Sequence, residues 1–248
     1  MCLIVFAWVP DSAQPLLMLA NRDEMHARAT APLAQWSDYP QIYAGRDLLA
    51  GGSWLGVAPQ GRFAALTNIR ALEGVLPRSR GELVSNYLAG HEPPAAYMHR
   101  VAQQAAQFNG FNLLVGDSRQ LWFFNSKSAR PQRLSAGIYA LSNASLDTPW
   151  PKLVRIRSLF SQNLNSTDDD LFNLMRDRER PSEEFLPETG VGLVLERMLS
   201  SIFIQGEYYG TRATSLLRMT QTNLSLKEQS YTVAGAVQEL KEIVLAAD

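Results

Sequence analysis

Two apolar runs at the head of the chain, residues 3–9 and 16–20, restrict its folding more than any other feature. Between them lies Pro10-Asp11-Ser12-Ala13-Gln14-Pro15, a break that interrupts both helix and strand. Short apolar runs bounded by such a break read as a β-hairpin. The second run ends on four polar residues, Asn21, Arg22, Asp23 and Glu24. Closing the hairpin symmetrically about residues 10–15 sets Val9 opposite Leu16 and Cys2 opposite Asp23. Directly opposed residues share a face, with Cβ atoms about 4.5–5.5 Å apart. This register predicts Asp23 beside Cys2 and sends Arg22 and Glu24 to the other face. A slip of one residue exchanges Arg22 for Asp23.

Cys2 is the single cysteine among 248 residues. The chain therefore forms no internal disulfide, and a reducing compartment suits it, so a soluble, cytoplasmic protein is expected. The run 3–9 is far short of the roughly 20 apolar residues of a membrane span. It also lacks the basic segment that opens a signal peptide. A net charge of −1 gives no electrostatic footprint for nucleic acid. With 46% hydrophobic residues, 16 Gly and 13 Pro, the chain can bury a large core and turn often, which suits one domain over residues 1–248. If Met1 is removed, Cys2 carries both a thiol and a free α-amine.

Further along, Gly51-Gly52 turns into a strand at 54–58, and 62–67 returns, ending at Asn68. The glycines lack the spacing of a phosphate-binding loop. Ser79-Arg80-Gly81-Glu82 has the form of a capping box opening a helix to Ala89. Pro93-Pro94 opens a second helix over 95–108. Residues 111–115 and 121–124 form a hairpin, and 138–142 a strand ending at Asn143. Helices are expected at 152–162, 168–176 and 191–203, the second capped by Asp168-Asp169-Asp170. Residues 177–189 read as an exposed loop, 214–220 and 224–232 as a strand pair, and 234–247 as either helix or strand. Trp36 is expected to pack over the first hairpin. Strands at both ends with helices between them argue for α+β architecture with antiparallel sheet.

These pieces, in this order, resemble the NRDE family, the transport-and-Golgi-organisation group. The resemblance rests on Met1-Cys2-Leu3, Ala20-Asn21-Arg22-Asp23-Glu24, Gly45-Arg46-Asp47, Gly51-Gly52-Ser53-Trp54-Leu55-Gly56 and Leu66-Thr67-Asn68. It continues through Ser79-Arg80-Gly81, Asn109-Gly110-Phe111-Asn112-Leu113, Leu141-Ser142-Asn143, residues 147–152 and Tyr209-Gly210-Thr211-Arg212. At Ala213-Thr214-Ser215 the chain departs from the family's more usual Ser-Ser-Thr. The resemblance implies an N-terminal-nucleophile hydrolase fold, a four-layer αββα sandwich laid out like the cholylglycine and penicillin V acylases. Those enzymes use an N-terminal Cys, an Arg and Asp after the first hairpin, two Asn and a late Arg. On that pattern the candidate catalytic residues are Cys2, Arg22, Asp23, Asn68, Asn143 and Arg212, with Asn21 and Trp54 assigned to substrate binding. The acylases separate Arg from Asp by two residues, whereas Arg22 and Asp23 adjoin.

The residue types fit acyl transfer. The reactive form of a thiol is the thiolate, and a free Cys has a pKa of about 8.5. Its own α-amine can take the proton, and a nearby Arg favours the thiolate. The bland alternative is a small residue starting a buried strand. Asn68 and Asn143 end strands, where turn chemistry alone favours Asn. As oxyanion donors each would contribute roughly 3–4 kcal/mol to the barrier. Arg22 and Arg212 suit a substrate carboxylate or the thiol, or ion pairs with Asp23, Glu24 or Asp47. Trp54 either packs or lines a pocket. His26, His91 and His99 have no metal-ligand spacing, so no metal is expected. Trp122-Phe123-Phe124 reads as core strand. The expected activity is hydrolysis of a linear amide or acyl bond through a Cys2 thioester, on a small-molecule substrate and without a cofactor. The resemblance also links the family to haem trafficking and lipid metabolism. A non-catalytic carrier of haem or an acyl lipid is therefore the other reading.

Overall fold

A computed structural model describes residues 2–70 and 76–246. Met1, and with it the question of its removal, lies outside them. The chain runs β1 (Cys2–Trp8), β2 (Leu16–Met25), β3 (Thr30–Gln35), β4 (Tyr43–Asp47), β5 (Leu55–Ala58), β6 (Arg62–Asn68), α1 (Gly81–Ala89) and α2 (Pro94–Gln104). It continues β7 (Phe111–Gly116), β8 (Leu121–Asn125), β9 (Gln132–Arg133), β10 (Gly137–Leu141), α3 (Pro151–Gln162), α4 (Asp168–Leu174) and α5 (Leu193–Met198). It closes with β11 (Tyr209–Met219), β12 (Asn223–Tyr231) and β13 (Val237–Ala246). A six-stranded sheet has the order β10-β1-β2-β11-β12-β13, and a seven-stranded sheet runs β3 to β9 in sequence. Neighbouring strands in both are antiparallel.

The apolar runs of the first hairpin have no polar alternation because both faces of their sheet are covered. Ile4, Phe6 and Trp8 point into the layer between the sheets, against Leu55, Phe63 and Leu114. Leu3, Val5 and Ala7 point the other way, under Leu153, Ile156 and Phe160 of α3 and Leu171 of α4. On the outer face of the second sheet, Leu83 and Tyr87 of α1 and Met98 of α2 cover Ala64, Leu113 and Val115. Helices, sheet, sheet and helices make the four-layer αββα sandwich.

The hairpin register is one residue away from the symmetric one. Trp8 pairs with Leu16, and Cys2 pairs with Arg22 instead of Asp23. The Val9 amide donates to the Pro15 carbonyl at 2.8 Å, which shortens the loop to residues 10–14. Pro15 has no N–H to donate, but this position requires only its carbonyl.

Other expectations shift for local reasons. The capping box does not form: Arg80 stands at the N-cap but makes no side-chain bond to the helix end, donating instead to the Gly110 carbonyl at 3.1 Å, and the Glu82 carboxylate pairs with Arg78. The helix expected at 191–203 shrinks to α5, after which the chain leaves the helix and turns the Leu199 and Ile202 carbonyls toward side chains of other elements. Trp36 packs beneath α1 and α2, donating from Nε1 to the Ala44 carbonyl at 3.1 Å, and not over the hairpin. β3 and β4 carry no apolar alternation that the sequence could reveal. The ambiguous tail is strand β13, paired along β12. Among the described residues, no helix is long and apolar enough to cross a membrane.

Phe6 is fully buried and stacks on Tyr139 with ring centroids 5.2 Å apart. Phe6→Ala should cost about 3–5 kcal/mol of stability, read as a lower denaturant midpoint at unchanged slope.

Candidate active site

The site forms where β1 begins and β2 ends. Because Cys2 and Arg22 are paired across the two strands, their side chains share the face that looks into the inter-sheet layer. Arg22 is buried, and its guanidinium lies 4.2 Å from the centroid of the Trp54 ring. Trp54 can lie there because the second sheet carries a glycine beneath it. A Cβ on Gly45 would meet the indole at 2.4 Å. Trp54 is in turn placed by Gly52, whose missing side chain lets the backbone press against Gly81 at the start of α1. Two of the sequence's glycines are thus explained by close approach.

Asp23 turns to the opposite face, toward α3, and is equally buried. The Thr211 hydroxyl donates to its Oδ1 at 2.7 Å, and the Tyr209 hydroxyl to its backbone carbonyl at 3.0 Å. Beneath it Lys152, also buried, donates from Nζ to the Leu199 carbonyl at 2.8 Å. Burial dominates the electrostatics. It pushes the Cys2 thiol up, against a smaller lowering by Arg22. It pushes the Asp23 carboxyl up and pulls the Lys152 ammonium down to about 8, with Asp23 opposing the latter shift.

A cavity of about 600 Å³ opens over this strand end. Cys2, Arg22, Asp23, Glu24 and Tyr209 form one wall, and Trp54, Asn68, Arg78 and Arg80 line the side of the second sheet. Cys2 itself is half-buried. The Arg28–Asp47 ion pair, at 2.7 Å, closes the rim.

Of the eight residues singled out by sequence, Cys2, Arg22, Asp23, Trp54 and Asn68 line this cavity; Asn143, Asn21 and Arg212 do not. Asn143 donates its amide to the Asn68 carbonyl at 2.8 Å and accepts from Ser142 Oγ at 3.1 Å, so it braces Asn68 from behind. Asn21 faces the helices, donating to the Met175 and Ile202 carbonyls at 2.9 Å each and accepting from Thr214 at 2.6 Å. Arg212 is the extra residue of a β-bulge in β11, where the register against β2 shifts between Thr211 and Ala213. The bulge turns its guanidinium onto the Met25, His26 and Arg28 carbonyls.

Sequence reasoning about individual roles passed over Lys152, Tyr209, Thr211 and a buried polar chain behind Cys2. In that chain Asn125 donates to Asn112 at 2.8 Å, Asn112 to Thr67 at 3.0 Å, and Thr67 to the Ser142 carbonyl at 2.6 Å. Ser142 Oγ, whose single proton is shared with Asn143 Oδ1, then lies 3.2 Å from the Cys2 carbonyl. Each of these except Asn125 falls inside a motif quoted above, and that motif membership was the available signal. Among the described residues no group of His, Cys, Asp and Glu is placed to hold a metal ion.

With this geometry in place, comparison with known proteins becomes specific. Residues 1–232 match the family described as Transport and Golgi organisation 2. The chain belongs to that family. The human Transport and Golgi organization protein 2 homolog is 31% identical over 242 residues, which span 88% of each chain. The mouse homolog is 30% identical over 243 residues, again 88% of each, and the Drosophila melanogaster protein 24% over 257, or 90% of this chain and 89% of that one. Among solved structures, a mutant of conjugated bile acid hydrolase from Clostridium perfringens superposes with a TM-score of 0.51 at 10% identity, covering 98% of this chain and 96% of that one. The chain thus shares the fold of this hydrolase.

The Lys152 ammonium can be tested through pH. The unfolded chain holds a Lys at about 10.4. With the folded value near 8, the cost of burying the charge is fully present below pH 8. Between about 8 and 10.4 the unfolded state binds more protons, so this group's contribution to stability rises with pH. The difference in denaturant midpoint between wild type and Lys152→Met should therefore move in favour of wild type from pH 8 to 10. A difference flat across that window would place the titration elsewhere.

Proposed function

We propose that this protein is an N-terminal-cysteine hydrolase acting on a linear amide or related acyl bond. The observation that carries the reading is the pairing of Cys2 with Arg22 at the wall of a 600 Å³ cavity. With Met1 removed, the Cys2 amine takes the thiol proton and the sulfur attacks the carbonyl carbon. The C–N bond breaks as the amine passes that proton to the leaving nitrogen, leaving a thioester on Cys2. Water then adds to the thioester, the acid departs and the thiol is restored. Arg22 lowers the thiol against the rise that burial imposes. Asp23, on the strand face opposite the thiol but lining the same cavity end, is assigned to the α-amine of the Cys2 backbone, and Asn68, braced by Asn143, to the oxyanion. The hydrolase-like fold supports this reading, and a lone cysteine suits a reducing, cytoplasmic setting.

One observation favours the second reading, a non-catalytic carrier. Burial holds the Cys2 thiol toward its neutral form. For haem as cargo, no histidine among the described residues lines the cavity, and the axial donors it offers are Cys2 and Tyr209.

Intact mass should show loss of Met1, and Cys2→Ala and Cys2→Ser should each lose at least about 10³-fold in turnover on a panel of amides and thioesters. Turnover that survives both substitutions removes Cys2 as the nucleophile, whereas a wild-type protein that turns over none of the panel leaves the carrier. A haem titration then separates its cargoes. A Soret shift abolished by Cys2→Ala indicates haem, and its absence removes haem as cargo.

A further inference from the structure

Glu228 is the buried carboxylate that the mechanism does not use. It sits on β12 in the inter-sheet layer with 4% of its surface exposed. Its Oε1 accepts from the Leu33 amide of β3 at 2.8 Å. Its Oε2 converges with the Trp54 ring on the space left by Gly45, where a Cβ would meet Oε2 at 3.3 Å and the indole at 2.4 Å. The same indole carries the Arg22 guanidinium on its ring at 4.2 Å. Arg22 is itself only 5% exposed, and its Nη1 is buried with no hydrogen-bond partner among the described residues. Ala213, the β11 neighbour of Arg22, is a small residue between β2 and β12. A buried cation with an unused donor and a buried anion thus share one aromatic plate between the sheets.

We propose that Glu228 is a positioning residue, whose carboxylate makes no direct ion pair with Arg22 but by its field draws the guanidinium flat against Trp54 and beside the Cys2 sulfur. The proposal rests on the reading that Arg22 tunes Cys2, but it concerns the thiol and not turnover. Burial pushes Glu228 up to about 7, against lowering by the Leu33 amide and by Arg22. The groups that surround it are few. β2 supplies Arg22. β11 supplies the Ser215 hydroxyl. β13 supplies the Glu239–Lys241 ion pair, closed at 2.6 Å. The inward face of β4 carries Tyr43 and also Asp47, which is held by Arg28 at 2.7 Å. β3 offers a backbone amide alone. The hold on Arg22 therefore forms as pH rises through about 7 and is released below it.

Because Cys2 is the only cysteine, its reaction with 4,4′-dithiodipyridine reports this residue alone in the whole protein. The wild-type rate plotted against pH should show a step near 7 in addition to the rise of the thiol itself. Glu228→Gln should lose that step, reacting about tenfold more slowly at pH 8. At pH 5.5, where wild-type Glu228 is already protonated, the two proteins should react alike. In an Arg22→Met background, adding Glu228→Gln should change nothing further. A variant slowed by the same factor at every pH would show mere structural damage, and a variant faster at pH 8 would show a carboxylate that only repels the thiolate. Either result overturns the proposal. So does a wild-type profile without the step, a measurement that needs no variant to fold.

Discussion

The contact on which the site depends is the hydrogen bond from the Val9 amide to the Pro15 carbonyl. It ends the loop one residue earlier than symmetry suggests and thereby sets every pair along β1 and β2. Side chains alternate with a period of two, so this one-residue choice decides which of two adjacent charged residues shares a face with Cys2. With Pro15 paired, Arg22 enters the inter-sheet layer and Asp23 enters the layer beneath α3. The opposite register would place a carboxylate beside the thiol and bury an arginine under the helix.

Both charges end up in places where an ion is costly unless its surroundings are polar. The fold meets this in different ways on the two faces. Under α3, Thr211 supplies a hydroxyl to Asp23, and Lys152 stands nearby with its ammonium held by the Leu199 carbonyl. That carbonyl is available because the chain leaves helical conformation after α5. Between the sheets, Arg22 has an aromatic face in place of an oxygen cage, and glycine at position 45 admits the aromatic. The polar chain from Asn125 through Asn112, Thr67 and Ser142 then ties the second sheet to the carbonyl of Cys2 itself. Satisfied networks of this kind rigidify a core and define its geometry.

The strong local signals in the chain correspond to observed elements. The first hairpin, β5 with β6, β7 with β8, and α3 are all legible because apolar period and turn residues act within a few positions of each other. β3 and β4 are not legible, since they carry mixed polar sequence and are strands only because a neighbouring strand pairs with them. The capping box at Ser79 fails for a comparable reason: Arg78 offers Glu82 a charge partner and removes it from the helix end. Arg212 likewise became a cap on three carbonyls through a bulge that no pattern of residue types announces.

By itself the sequence determined that this chain opens with a hairpin of two apolar runs, that a lone cysteine stands at its start, and that polar residues end its second strand. Those properties reside in residue type and short-range order, and any fold of the chain must respect them. Tertiary structure alone decided which of those polar residues meets the cysteine, and that Asn143 and Asn21 support the site from behind. It also decided that a lysine from α3, a glutamate from β12 and a tryptophan from the loop between β4 and β5 gather around one strand end. Such choices depend on register and on packing between layers. A single loop residue, or a glycine that lets two layers approach, sets them at a distance along the chain that local pattern does not reach.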